Sequence, residues 1–158
     1  MPKREFLHSL KKENLFGKIN NMINTKNILT KYKNIALVGA SKDLKKTSTV
    51  VMKYLQTYGY KVYPVNPNIS GEEILGEQVY GKVSEIDGPV DIIDVFRPSD
   101  EAIEFANEAI KIKAKVLWLQ LNIKSPEAKK IAEANNVIYI EDKCTKICLL
   151  YTSDAADE

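Results

Sequence analysis

Residues 35–41 have the sequence IALVGAS, an apolar run that ends at Gly39. Four consecutive apolar residues are typical of a parallel strand that is covered on both faces. Gly39 and Ala40 leave the backbone bare enough for a ligand to approach. Lysines follow at positions 42, 45 and 46, and helical spacing of apolar residues begins near Thr47. We therefore predict a buried strand, an anion-binding loop, and a helix whose N-terminus attracts phosphate.

The rest of the chain alternates strand patterns with helix patterns. Apolar runs predict four further strands, at residues 61–65, 90–96, 115–119 and 137–140. Strands that alternate with helices and short loops indicate an α/β fold with a doubly wound, Rossmann-like parallel sheet. Handedness of the crossovers then places the helices on both faces of this sheet.

Two of the helices have recognisable starts. Residues 99–113 predict a helix with Ser99 as its N-cap and an apolar face formed by Ile103, Ala106, Ala109 and Ile110. Ser125-Pro126 predicts the start of another helix, because proline is tolerated at the first helical position.

Composition limits the class of protein. The chain has 158 residues, of which 44% are hydrophobic and 28% charged, so we expect a single domain with a proper core. A net charge of +2 gives no support to nucleic-acid binding. No apolar run reaches the roughly 18 residues of a membrane span, and the start lacks a signal-peptide pattern. We expect a cytoplasmic protein with free thiols at its two cysteines.

Two nucleotide-binding patterns are absent from the loop, and their absence limits the candidate ligands of the predicted anion site. A dinucleotide site requires the pattern GxGxxG and an acidic residue after the second strand, but the chain has Ala40-Ser41-Lys42 and Val65-Asn66-Pro67. The P-loop pattern is also absent, because Lys46-Thr47 follows a lysine where that pattern has glycine. We therefore expect a phosphate-rich ligand whose ribose is not bound by a carboxylate. Coenzyme A fits this expectation, because its 3′-phosphate would repel a carboxylate beside the ribose.

Seven segments, in order, resemble the small stand-alone CoA-binding proteins. That family is similar to the CoA-binding N-terminal domain of the succinyl-CoA synthetase alpha subunit. The segments are residues 35–41, 59–67, 74–76, 79–80, 88–91, 94–97 and 118–121, and the resemblance runs from about residue 30 to residue 147. It implies a Rossmann-like fold that binds coenzyme A (CoA) or an acyl-CoA.

The resemblance also implies which residues bind the ligand. Phosphates would lie against Gly39, Ala40 and Ser41, with Lys46 and Ser48 at positions where the family has a basic residue and a serine. Asn66 and Pro67 would close over the adenosine, and Phe96, Arg97 and Gln120 would line the crevice at the strand ends. The chain departs from the family at Thr49-Val50, where Tyr-Gly is common, and at Thr145, where proline is common.

We find no catalytic or metal-binding set in the sequence. His8 is the only histidine and lies in a polar N-terminal segment. Cys144 and Cys148 lack a second pair of metal ligands. Asp91 and Asp94 would point to opposite faces of a strand, so we interpret them as structural, and Trp118 as packing. Cys144 is expected to be a free thiol near the crevice.

Three functions remain open. The first is non-catalytic binding of CoA or an acyl-CoA. The second is an NAD(P)-binding oxidoreductase, which the missing glycines disfavour. The third is a regulatory subunit that presents CoA to a separate catalytic chain, since the phosphohistidine step of the synthetases belongs to a part of the larger subunit that this sequence lacks. Small-molecule binding is common to all three, and a protein partner is required only by the third.

The two ends of the sequence differ from the middle. We interpret residues 1–21 as an N-terminal extension and residues 22–147 as the CoA-binding domain. Residues 148–158 resemble the translation of a sequencing-library adapter, so we interpret them as a non-native tail. On that interpretation, residues 148–158 pack against nothing and can be deleted without loss of melting temperature.

Overall fold

A parallel five-stranded sheet forms the centre of the protein, whose computed structural model describes residues 25–156. These described residues form seven strands: β1 (Asn34–Val38), β2 (Lys61–Val65), β3 (Glu73–Ile74), β4 (Glu77–Gln78), β5 (Ile92–Val95), β6 (Val116–Leu119) and β7 (Ile138–Ile140). The parallel sheet has the order β2-β1-β5-β6-β7. The predicted Rossmann-like fold is therefore confirmed. Strands β3 and β4, which we did not predict, form a separate antiparallel hairpin.

Four helices connect or follow the strands of the sheet. They are α1 (Thr47–Thr57), α2 (Ala102–Ile112), α3 (Pro126–Ala134) and α4 (Thr145–Ala156). Ser125 caps α3 as predicted, because its Oγ accepts a hydrogen bond from the Ala128 amide at 3.1 Å. The prediction that Ser99 caps α2 is wrong. Ser99 instead begins a 3-10 turn, and its Oγ accepts a hydrogen bond from the Lys124 amide.

The core follows the alternation of side chains along the strands. Ala36 and Val38 of β1 belong to a buried cluster that includes small residues of α2 and α3. The buried residues of α2 are Ala102, Phe105, Ala106 and Ala109. Ile103, which we placed on the buried face, is 38% exposed. Helix α2 is therefore turned so that Phe105 takes the place expected for Ile103.

Trp118 lies entirely inside the protein, as the packing interpretation predicts. Its indole Nε1 donates a hydrogen bond to the carbonyl oxygen of Lys143 at 2.8 Å, so its polar atom is satisfied. Asp91 is structural as well, because its carboxylate accepts hydrogen bonds from the backbone and the side-chain amide of Asn34. Both residues stabilise the sheet.

Helix α4 extends through residues that we expected to pack against nothing. It contacts α1, and Lys146 Nζ of α4 lies 5.3 Å from the centre of the Tyr54 ring. Leu149 is only 5% exposed. The expectation that residues 148–158 pack against nothing is therefore wrong at Leu149, because its side chain is buried.

The described residues fall into two compact units, residues 25–31 and residues 32–156. In the first, residues 25–31 are helical. The predicted extension, residues 1–21, and His8 within it lie outside the described residues. Among the helices of residues 25–156, we find none with the length and apolar character that a membrane crossing requires.

Candidate functional site

A cleft of about 530 Å³ opens at the carboxyl ends of β1, β2 and β5. Strand β1 lies between the other two, because the chain passes from β1 to β2 on one side and returns to β5 on the other. Open α/β sheets bind ligands at such a switch point, where the loops after neighbouring strands diverge. All of the predicted binding residues except Gln120 line this cleft.

Gly39 brings the ends of β1 and β5 into contact. Its φ angle is +88°, and a Cβ atom at this position would lie 2.8 Å from the Phe96 carbonyl oxygen. The amides of Gly39 and Ala40 both donate to the Val65 carbonyl oxygen, at 3.1 and 3.3 Å. Those two amides are therefore engaged within the protein, and other groups must supply hydrogen bonds to an anion.

Two side chains donate hydrogen bonds to backbone carbonyl oxygens of the loop after Gly39. Asn66 Nδ2 donates to the Ala40 carbonyl oxygen at 2.9 Å, and Thr49 Oγ1 donates to the Ser41 carbonyl oxygen at 2.8 Å. Both carbonyl dipoles are thus paired within the protein. Thr49, where the family pattern has tyrosine, has a defined role in this loop.

The N-terminus of α1 lies open beside the loop. Lys46 is its N-cap residue, no side chain caps the first turn, and that turn contains no acidic residue. Lys46, Thr47 and Ser48 all line the cleft. The first amides of a helix have no partner inside the helix and carry the positive end of its dipole. This first turn is therefore the part of the cleft best suited to bind phosphate.

The three lysines of the loop are not equivalent. Lys42 Nζ lies 2.7 Å from a carboxylate oxygen of Glu72, so its charge is largely compensated. Lys45 is exposed and does not line the cleft. Lys46 lines the cleft and has no ion-pair partner among residues 25–150. Of these lysines, Lys46 is the one placed to bind an anion.

The opposite wall of the cleft contains residues that the sequence analysis does not predict as part of the site. It consists of Lys82, Val83, Glu101, Glu104, Phe105 and Glu108. The available signal was the recurrence of glutamate at positions 101, 104 and 108, since this spacing places the three side chains on one face of a helix. We had assigned only the apolar face of α2.

Charge on this wall is partly compensated. Arg97 forms two hydrogen bonds with Glu101, at 2.6 and 2.9 Å, and they lower the pKa of the Glu101 carboxyl. Glu108 Oε2 is buried and has no hydrogen-bond partner in the described part of the chain. Neither Glu104 nor Glu108 forms an ion pair with a described residue. We call this the α2 wall; it carries two glutamates without an ion pair in the described part of the chain, against one lysine, Lys82, and its net charge is negative.

Gln120 lies in a buried polar cluster and does not line the cleft. Its Nε2 donates hydrogen bonds to Asp94 Oδ1 and, at 3.0 Å, to Thr145 Oγ1. Thr145 Oγ1 in turn donates to Asp94 Oδ2 at 3.1 Å. Burial raises the pKa of Asp94 to about 7, although both hydrogen bonds favour the charged form. Thr145, where the family pattern has proline, thereby joins α4 to β5.

Cys144 is a half-buried free thiol that does not line the cleft. Its proximity to the bound ligand therefore stays a prediction. The described residues contain no group of three or more histidine, cysteine, aspartate or glutamate side chains that could hold a metal ion.

Known proteins share the sequence pattern and the fold of this chain. A family model for the CoA binding domain matches residues 33–149. A Bacillus subtilis protein named uncharacterized protein YneT is 38% identical over 122 residues, which cover 77% of this chain and 89% of that protein. A solved structure of a hypothetical protein from Pyrococcus horikoshii has a TM-score of 0.80 and 38% identity, and the match covers 84% of this chain and 92% of that one.

A more distant relative carries a functional name. The alpha subunit of an ADP-forming acetate–CoA ligase from Pyrococcus furiosus is 46% identical over 65 residues. This match covers 40% of the present chain but only 14% of the ligase subunit. The similarity to the ligase is therefore confined to a small part of that larger protein.

Proposed function

This chain belongs to the CoA-binding domain family, and we propose that it binds coenzyme A or an acyl-CoA in the cleft without catalysing a reaction. One observation carries the proposal. The uncapped first turn of α1 and Lys46, which has no ion pair with a described residue, meet at the switch point between β1 and β5. A helix N-terminus beside a lysine is a suitable site for the phosphates of such a ligand.

The phosphates would be bound by backbone amides of α1, by Lys46 and by the Ser48 hydroxyl. Gly39, Ala40 and Ser41 would allow the ligand to approach closely, because no bulky side chain rises from this part of the loop. Asn66 and Pro67 lie on the β2 side of the cleft and would contact the adenosine. Phe96 and Arg97 lie on the β5 side and would contact the remainder of the ligand. Asn66 and Pro67 stand after β2, where a site for NAD has an acidic residue that binds the ribose. This difference disfavours the oxidoreductase alternative.

Isothermal titration of the purified protein with CoA, dephospho-CoA and NAD tests the proposal. We expect CoA to bind most tightly, dephospho-CoA more weakly because it lacks the 3′-phosphate, and NAD weakly or not at all. NAD binding with an affinity equal to that of CoA would favour the oxidoreductase alternative and contradict the proposal. A mass spectrum of any ligand retained after gentle purification provides an independent check.

The ligase similarity favours one second candidate. The chain matches the part of the acetate–CoA ligase subunit that spans only 14% of its length, so a function that requires the rest of that protein would need another chain. In that case this protein would present CoA to a separate catalytic subunit. Co-purification of a stoichiometric partner, followed by an assay of thioester formation with and without this chain, would test the candidate.

A further inference from the structure

The cleft has two walls of opposite electrostatic character. On the α1 wall, Lys46 and the helix N-terminus are positive, and no acidic residue lies in the first turn. On the α2 wall, Glu104 and Glu108 have no ion-pair partner among the described residues. Oxygen Oε2 of Glu108 is buried and accepts no hydrogen bond from residues 25–150. This asymmetry bears on how a ligand lies in the cleft.

The orientation of CoA follows from its own charge, on the premise that the proposed function is correct. The pyrophosphate lies near the middle of the molecule, and its site at α1 lies beside β1, which pairs with β2 on one side and with β5 on the other. The two ends of CoA must therefore extend toward β2 and toward β5. The adenosine end carries the 3′-phosphate, whereas the pantetheine end is uncharged. Unpaired carboxylates repel the phosphate and tolerate the neutral arm.

The pantetheine end therefore belongs on the β5 side, between Phe96 and the α2 wall. Its two amide groups supply N–H donors, and Glu108 Oε2 is a buried acceptor without a partner. An acyl group on the thiol would lie beyond these amides. It would then meet the carboxylates of Glu104 and Glu108.

We propose that the α2 wall selects the acyl group: thioesters with uncharged acyl chains bind, and thioesters whose acyl chain ends in a carboxylate are rejected by Glu104 and Glu108. Selection of this kind works by repulsion, because a second carboxylate brought beside Glu104 and Glu108 meets like charges, and Lys82 alone leaves this wall with a net negative charge. Arg97 does not relieve the repulsion, since Glu101 already engages its guanidinium through two hydrogen bonds.

Propionyl-CoA and malonyl-CoA form a matched pair of probes, because they differ only in a terminal methyl group against a terminal carboxylate. We expect the wild-type chain to bind propionyl-CoA about tenfold more tightly than malonyl-CoA, as repulsion at short range in a partly buried site predicts. In the double variant Glu104→Gln, Glu108→Gln the ratio should fall to about threefold or less. The single variants should give intermediate ratios.

Glu133→Gln is the matched control, because Glu133 is exposed on α3 and does not line the cleft. This substitution removes one negative charge, as each cleft substitution does, and should leave the ratio of the two affinities unchanged. Equal affinities for the two thioesters in the wild type, or a ratio that the double variant does not lower, would overturn the inference while leaving CoA binding intact. Failure to bind CoA at all would instead overturn the proposed function and the inference that rests on it.

Discussion

The Cβ atom that an alanine would add at position 39 would lie 2.8 Å from the carbonyl oxygen of Phe96. That oxygen belongs to the backbone at the end of β5, so it cannot move aside as a flexible side chain would. The contact joins the two strand ends between which the cleft opens. Gly39 is therefore required for the packing of these strand ends.

The variant Gly39→Ala should destabilise the fold and weaken CoA binding. Position 39 has a φ of +88°, which strains any L-residue by about 1–3 kcal/mol, and the clash with Phe96 adds to this cost. Urea denaturation measures the loss of stability, and titration calorimetry measures the loss of affinity.

Gly71→Ala separates the two effects. Gly71 has the same φ of +88°, but nothing lies within 4 Å of the position its Cβ would take. The variant Gly71→Ala should lose only the stability that backbone strain removes, and it should bind CoA with normal affinity. If the two variants lose equal stability, the contact with Phe96 has no energetic importance.

Replacement of Lys46 by alanine should weaken CoA binding by about ten- to a hundredfold, because a charge-assisted hydrogen bond to phosphate contributes about 1.5–3 kcal/mol. Lys45→Ala is the control, since the neighbouring Lys45 is exposed outside the cleft. Titrations at low and high salt should show a smaller salt dependence for Lys46→Ala only. Equal losses in both variants would indicate a general effect of charge.

The buried Asp94 should make stability depend on pH. Burial raises its pKa to about 7 in the folded protein, from 3.8 for an aspartate in water. The folded state therefore binds more protons than the unfolded state between these values, so stability falls as pH rises from about 4 to about 7 and is level above that range. The fall attributable to Asp94 is on the order of 4 kcal/mol.

Asp94→Asn should remove most of this slope, because an amide can accept from Gln120 and does not ionise. Unfolding in urea at a series of pH values from 4 to 8 measures the effect. Asp87→Asn is a suitable control, since Asp87 is exposed. A slope that persists in Asp94→Asn would mean that other groups cause it.

Leu149 and Leu150 allow a test of the C-terminal helix. Leu149 is 5% exposed and Leu150 is 39% exposed. Leu149→Ala should cost about 2–5 kcal/mol, as large-to-small substitutions in a core do, whereas Leu150→Ala should cost much less. Truncation after Ile147 should lower the melting temperature for the same reason. An unchanged melting temperature would show that α4 beyond Ile147 adds nothing to the stability of the domain.

Local pattern was enough to predict the parallel sheet and the loop beside it. The apolar run of β1 and the glycine after it are adjacent in sequence, and the strand ends of a parallel sheet meet at one edge whatever the details of packing. Thus Lys46, Asn66 and Phe96 could be placed at one cleft. The cap of α3 was also predictable, because Ser125 and Pro126 act on the backbone next to them.

Features that depend on the rotation of a helix or on distant partners were not predictable. Whether Ile103 or Phe105 of α2 faces the sheet depends on how the helix packs, and the same rotation brings Glu104 and Glu108 to the cleft. Gln120 could be placed at a strand end, but its burial depends on Asp94 and Thr145, which lie far away in the sequence. The short hairpin β3–β4 has too few residues for a periodic pattern.

The position of β1 between β2 and β5 also determines when the cleft can form during synthesis. The α1 wall comes from residues that directly follow β1, but the glutamates of the α2 wall follow β5, which is made only after β2 and the β3–β4 hairpin. A nascent chain that ends before α2 has the first wall and lacks the second. A ligand that spans both walls would therefore hold together segments that are distant in the chain, and its residence would slow any opening that detaches β5 and α2 from β1.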